Sequence, residues 1–273
     1  MISTGVAKGT IDDLTYRSKW LRQQVFEMSA RARQGHLASV LSEIEIIVAL
    51  YYGGILKCQP DDPNRDRVIV SKGHATMGLY PVLADFGYFP VSELDKYGTF
   101  DGRLRIFGNI DIPGIDATTG SLGHGIGIAC GYCIAAKHDN KNSRTFVILS
   151  EGEMYEGSVW ESVLFASHHN LNNLIVILDR NHKIILGDTE DLLQLDPIAE
   201  KWESFGWATT TVDGHSYSEL LMALADTNNQ DKPSVIIANT IKGKGLSFME
   251  GRPEWHYTNL TDELIEKARG ELA

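Results

Sequence analysis

Leu14, Leu21, Val25 and Met28 recur at helical spacing after the Asp12-Asp13 pair, so the chain opens on a helix. Ser42-Glu43-Ile44-Glu45 has the form of a capping box that opens the apolar run Ile46 to Tyr52, and Gly53-Gly54 closes that run. The pattern then changes to short apolar runs rich in branched residues: Arg67 to Val70, Thr145 to Leu149, Leu174 to Leu178, Ala208 to Val212 and Ser234 to Asn239. Each has the length and composition of a strand buried on both faces. Helical patterns fall between the later runs, at Val159 to His169, Pro197 to Phe205 and Ser216 to Ala225, the last opening on a second capping box from Ser216 to Glu219.

Strand and helix in alternation predict an α/β fold, a parallel sheet with helices on both faces. Such sheets take ligands beyond the C-terminal ends of their strands. With no internal repeat, low-complexity tract or linker, residues 1–273 read as one domain with a helical N-terminal extension over about 1–55.

Composition narrows the function classes. A hydrophobic content of 43% with 22% charged residues is ordinary for a soluble globular protein. The net charge of −11 argues against nucleic acid, which is bound by basic groups that displace phosphate counterions. No apolar run reaches the roughly 18 residues of a membrane-spanning helix, and Met1 to Thr10 lacks the apolar core of a signal peptide. Three cysteines, an odd number, argue against a disulfide framework and for a reducing, cytoplasmic setting. Cys130 and Cys133 form a C-x-x-C, but they sit among small residues from Gly125 to Ala136 that suit helix packing better than redox or metal chemistry.

Three groups of residues carry candidate chemistry. Glu151 sits at the C-terminal end of the strand Thr145 to Leu149, beside Gly152, and Asn181 follows the next strand in Asp179-Arg180-Asn181-His182-Lys183. Adjacent strand ends would present a carboxylate and an amide oxygen to one point, hard ligands of the kind Mg²⁺ shares with phosphate and water. The competing account makes both of them polar turn residues. Thr119-Gly120-Ser121-Leu122-Gly123-His124-Gly125 opens a helical pattern, which suits either an anion at the helix start or tight packing through glycine. It is neither a dinucleotide fingerprint nor a P-loop, since the third glycine and the Gly-Lys-Ser/Thr are missing. His36, His74 and His256 lie on loops after helices or strands, where a structural and a catalytic role both remain open.

Taken together these stretches resemble the N-terminal part of transketolases, from about Leu14 to His256. The landmarks are Gly35-His36, Asp66-Arg67 through Ser71-Lys72-Gly73-His74-Ala75, Pro113-Gly114-Ile115-Asp116, Thr119 to Gly123, Glu153 through Glu156-Gly157 to Trp160-Glu161, Asn181, Gly187, Thr189-Glu190, Lys242-Gly243-Lys244-Gly245 and Trp255-His256. The Ser-Lys-Gly-His-Ala and Trp-His forms resemble the split transketolases encoded as two chains. The resemblance implies a thiamine diphosphate-binding fold with Glu151, Asn181 and the carbonyl of Lys183 on Mg²⁺. It implies a cofactor site formed by His74, Gly120, Ser121, Leu122, Gly123, Gly152, Glu153, Asn181, Ile185 and His256. His36, His74 and His256 would serve the reaction, with Glu156 and Glu161 in a carboxylate network across a dimer interface.

The implied reaction transfers a two-carbon ketol unit from a ketose, such as a sugar phosphate, to an aldehyde, with the cofactor carrying the difficult chemistry. A pyrimidine-binding domain with an activating glutamate follows this domain in full-length transketolases. The chain ends at Ala273, so a partner chain is expected to supply it, in an α2β2 assembly. Two departures from the family pattern stand out. Ser150-Glu151-Gly152 replaces Gly-Asp-Gly, and no Gly-His-Pro histidine occurs around Ile106 to Asp111; His124 also replaces a usual glutamine. They suggest a specialised donor such as a modified sugar. A 2-oxo acid donor is one alternative, and a degenerate chain that has lost catalysis is the other.

Overall fold

The computed structural model describes residues 10–257 and 259–273, so the reading of Met1 to Thr10 falls almost wholly outside the described residues. Helix α1 (Ile11–Ala32) starts on a reciprocal cap: the Thr10 hydroxyl accepts from the Asp13 N–H at 3.2 Å, and the Asp13 carboxylate accepts from the Thr10 N–H at 2.9 Å. The capping box expected at Ser42 to Glu45 does not form. Two helices, α2 (Leu37–Ser42) and α3 (Ile44–Tyr52), meet at Glu43, and the Ser42 hydroxyl turns to the buried carboxylate of Asp179 at 2.5 Å. A charged acceptor is the stronger use of that hydroxyl.

Strand β1 (Arg67–Val70) and helices α4 (Leu79–Asp85) and α5 (Gly125–His138) follow, then β2 (Thr145–Ser150), α6 (Gly157–His168) and β3 (Leu174–Arg180). A two-stranded antiparallel hairpin, β4 (Lys183–Ile184) with β5 (Gly187–Asp188), leads into α7 (Thr189–Leu192) and α8 (Ile198–Ser204). The chain finishes with β6 (Ala208–Asp213), α9 (Tyr217–Asp226), β7 (Ser234–Asn239) and α10 (Asp262–Leu272). Ser216 caps α9 by accepting from the Glu219 N–H, but the Glu219 carboxylate accepts from the Asp213 N–H, so only half of that box closes.

The five long strands form one parallel sheet in the order β1-β2-β3-β7-β6. Alternate residues feed two cores. Val68, Phe146, Ile148, Ile175, Ile177 and Ile236 join α1, α3, α9 and α10 on one face; Ile69, Val147, Leu149, Val176, Leu178 and Ile237 join α5, α6 and α8 on the other. The expected two-faced architecture is therefore present, and α1 to α3 belong to one of its cores. Strand β6 departs from the expectation of burial on both faces: it is an edge strand whose Thr210 and Thr211 are exposed. Cys130 and Cys133 are free and buried in the second core, which pushes their thiols up to about 12 and about 11, as suits packing rather than reactivity.

Candidate active site

Four strands deliver one polar side chain each to the same cavity. Lys72 follows β1, Glu151 follows β2, Asn181 follows β3 and Lys242 follows β7, all at C-terminal ends. With Ser39, His74, Leu122, Gly152, Tyr155, Lys183, Ile185 and His256 they line a space of about 250 Å³. The parallel register puts Ser150 beside Asp179, which holds the loops after β2 and β3 side by side.

The cavity is built on buried charge. Lys72 is 1% exposed; it pairs with Asp179, donates to the Ser39 carbonyl at 3.1 Å, and lies 3.0 Å from Glu43. Burial alone would lower its pKa, but the two carboxylates outweigh burial and raise it. Asp179 shows the mirror image: burial raises it, while Lys72 and the hydroxyls of Ser42 and Thr240 hold it low. Glu43 has no hydrogen-bond partner among the described residues, and burial pushes it up to about 8. Lys242 is 2% exposed yet forms no ion pair with a carboxylate among the described residues; burial, then the nearby Lys72, brings it down to about 8. Its ammonium lies 3.0 Å from His256 Nδ1.

On the opposite wall Glu151 accepts from the His182 N–H at 2.7 Å and from the Thr189 hydroxyl at 2.8 Å, with Arg180 Nε 3.8 Å away. Burial raises its pKa despite these donors. Each carboxylate oxygen keeps a free lone pair, and the Asn181 amide oxygen beside it accepts from the Lys183 N–H, at 3.2 Å. No group of three or more His, Cys, Asp or Glu that could hold a metal occurs among the described residues. The cavity thus combines a few hard oxygens of the kind Mg²⁺ takes with two ammonium groups of the kind a diphosphate takes.

His36, His74 and His256 come together, their ring centroids 4.9 to 5.3 Å apart. Burial, reinforced by Lys242, lowers His36 to about 4 and His256 to about 3; burial also takes His74 well below its ordinary value. All three are neutral near pH 7, and His36 Nδ1 is buried without a partner among the described residues.

The other predicted residues fall around this centre rather than in it. Gly120 lies against Gly73, where a Cβ on Gly73 would come within 2.6 Å of the Gly120 nitrogen. Ser121 faces a separate shallow hollow with Thr118, Thr119 and His124. Glu153 is buried and accepts from Ser71 Oγ at 2.5 Å and the Gly123 N–H at 2.8 Å, so its carboxylate ties the glycine loop to β1. Glu156 caps α6 and Glu161 lies on its outer face; both are exposed and line none of the cavity. The sequence alone assigned no role to Lys72, Lys242, Ser39 or Tyr155. Both lysines stood inside quoted motifs, but a lysine's burial becomes visible only when the strands are assembled.

The family described as transketolase, thiamine diphosphate binding domain, matches residues 17–273. The chain is 38% identical over 266 residues to one of the two chains of the apulose-4-phosphate transketolase of Actinobacillus succinogenes, covering 96% of each. It is 38% identical over 272 residues to the SqwG chain of the 6-deoxy-6-sulfo-D-fructose transketolase of Clostridium sp., covering 95% of this chain and 96% of that one. The crystal structure of transketolase from Campylobacter jejuni superposes with a TM-score of 0.91 at 29% identity, over 97% of this chain and 43% of that one. The chain thus spans less than half the length of such full-length relatives. The fold, the matched residues and the end-to-end similarity to chains of split enzymes together place this protein in the transketolase family, as the thiamine diphosphate-binding subunit of the split, two-chain type of this transferase.

Proposed function

We propose that the chain binds the diphosphate end of thiamine diphosphate through Mg²⁺ and works with a second subunit to move a two-carbon ketol unit from a ketose to an aldehyde. The observation that carries this is the cavity at four strand ends, where an ammonium with no carboxylate partner among the described residues faces a carboxylate and an amide oxygen. Glu151, Asn181 and the Lys183 carbonyl would hold Mg²⁺, and Lys242, His74 and the Gly152 amide would hold the diphosphate. Leu122 and Ile185 offer apolar cover toward the rings, with Gly120, Ser121 and Gly123 in the loop behind, held in place by Glu153. The cofactor, when bound, supplies the carbanion-stabilising chemistry.

The chain's own contribution is to place neutral imidazoles beside the substrate. With Lys242 protonated, His256 Nδ1 accepts from it and the ring proton sits on Nε2, free to donate to a hydroxyl or carbonyl oxygen. His36 Nδ1 has no partner among the described residues and is available to hold a substrate proton. Glu156 and Glu161, exposed on α6, fit a contact with another protein chain. That partner would bring the pyrimidine-binding domain and its activating glutamate, in an α2β2 assembly in the cytoplasm. The names of the relatives, one apulose-4-phosphate and one sulfo-sugar transketolase, favour a modified sugar as donor.

Calorimetry on the two-chain complex tests the anchor. Saturable thiamine diphosphate binding that requires Mg²⁺ is expected, and Glu151→Ala should abolish it. Unchanged Mg²⁺-dependent binding in that variant would remove Glu151 from the site.

A further inference from the structure

Two half-exposed aromatic rings flank His36 from separate loops. Phe107, ahead of the Pro113-Gly114 turn, is 45% exposed, and Tyr257, directly after His256, is 49% exposed. Their ring centroids lie 6.3 and 4.8 Å from that of His36, tilted by 56° and 50°. The Phe107 loop is held close to its neighbours. Gly120 has φ +147°, and a Cβ there would meet Phe107 Cδ1 at 3.0 Å, so the ring rests on the glycine loop. Gly108 is pressed on Thr76, whose Cγ2 would stand 2.6 Å from an added Cβ. Phe107 is therefore positioned by its loop and yet left open beside the histidines.

The histidines offer polar contacts near the cavity, whereas these rings offer none on their faces. An aromatic face attracts C–H groups and gains when they cover it. A hydroxyl turned onto such a face loses its water partner and gains no equivalent one. We propose that Phe107 and Tyr257 determine sugar specificity by gripping the C–H-rich face of the substrate's carbon chain beyond the two reacting carbons. The preferred ketose then has a deoxy or branched carbon at that position in place of a hydroxyl-bearing one. This inference rests on the ketol-transfer reading of the same site.

The test uses the complex of the chain with its pyrimidine-domain partner, thiamine diphosphate and Mg²⁺, and a panel of ketose phosphates paired as deoxy or branched against fully hydroxylated forms. For each pair the ratio of kcat/KM is measured in wild type, Phe107→Ala, Tyr257→Ala and Tyr257→Phe. Each alanine variant should lower the ratio roughly tenfold, chiefly through KM. Thiamine diphosphate affinity, followed by calorimetry, should be unchanged, and Tyr257→Phe, which keeps the ring, should behave as wild type. Ketol transfer with an unaltered ratio in both alanine variants would overturn the aromatic grip alone. A parallel loss of cofactor affinity would overturn it too, by assigning the rings to the cofactor. A wild-type complex that transfers no ketol unit from any donor would overturn the grip together with the reading beneath it.

Discussion

At the N-terminal ends of β1 and β2, Asp116 accepts from Arg65 through two nitrogens at 3.0 and 2.6 Å, from Arg67 at 2.9 Å and from the Val68 N–H at 3.0 Å. Asp66 nearby accepts from the N–H groups of Lys57 and Arg144 and from the Arg144 guanidinium. At the C-terminal ends of the same strands the arrangement is lopsided. Lys72 has its carboxylates, but among the described residues Lys242 meets a histidine in place of a carboxylate, and Glu43 has an ion contact without a hydrogen bond. Both clusters are buried and both cross between segments distant in sequence. They differ in saturation: one end of the sheet closes its charges on themselves, and the other leaves positive charge for a ligand to complete. Buried charge thus serves the fold at one end and binding at the other, and saturation by partners tells them apart.

Breaking each end should therefore have opposite signatures. Asp116→Ala leaves two arginines without their carboxylate and should cost about 3 to 5 kcal/mol in chemical denaturation. The folded fraction should keep its cofactor affinity, because the sites are far apart and independent. Lys242→Met removes an ammonium with no carboxylate beside it among the described residues, so the unliganded chain should be as stable as wild type or more so. Its thiamine diphosphate affinity should fall by about 100-fold, the scale of losing a charge-assisted hydrogen bond. A Lys242→Met protein as destabilised as Asp116→Ala would erase the distinction between the two ends.

Glu43 sharpens the comparison through pH. Its folded pKa, about 8, lies above the ordinary carboxylate value of 4.5, so folding favours the protonated form. That contribution is fully present below about pH 4.5 and is lost as pH rises through 8. The thermal midpoint of the unliganded chain should accordingly decline between about pH 5 and pH 8.5, and Glu43→Gln, neutral throughout, should flatten the decline. An equal slope in both proteins would mean that Glu43 is ionised in the fold.

Much of this was legible in the sequence, and the gaps have physical causes. The five strands announced themselves because burial on both faces forces continuous branched runs, as in Leu174 to Leu178. Edge position left no such mark: Ala208 to Val212 reads like a central strand but has one free side. Ser42 and Glu45 satisfied a local capping pattern, and Asp179, more than a hundred residues away, took the serine. Glu151, Asn181, His74 and His256 could be placed because strand ends in a parallel sheet converge. The lysines could not, since their meaning lies in which carboxylates fail to reach them. Phe107 and Tyr257 were equally silent, as an exposed aromatic residue on a loop has no periodic context.

The smallest effect expected concerns the histidines, whose neutrality reflects burial and the charge of Lys242. Depressed pKa values of about 4 for His36 and about 3 for His256 mean that folding favours their neutral forms. Their stability contribution is present above about pH 6.5 and is lost as pH falls toward those values. A diphosphate bound against Lys242 would offset the positive charge that helps to hold the imidazoles neutral, so their pKa values should rise on binding and protons should be taken up. Calorimetry near about pH 5.5, in buffers of different ionisation enthalpy, measures that uptake. The ligand's own protons cancel in the difference between wild type and a His36→Asn, His256→Asn double variant. Wild type should take up more, by a fraction of a proton per site. An equal count in the two proteins would place the diphosphate too far from the histidines to be felt, and the positive end of the sheet would then need another anion to complete it.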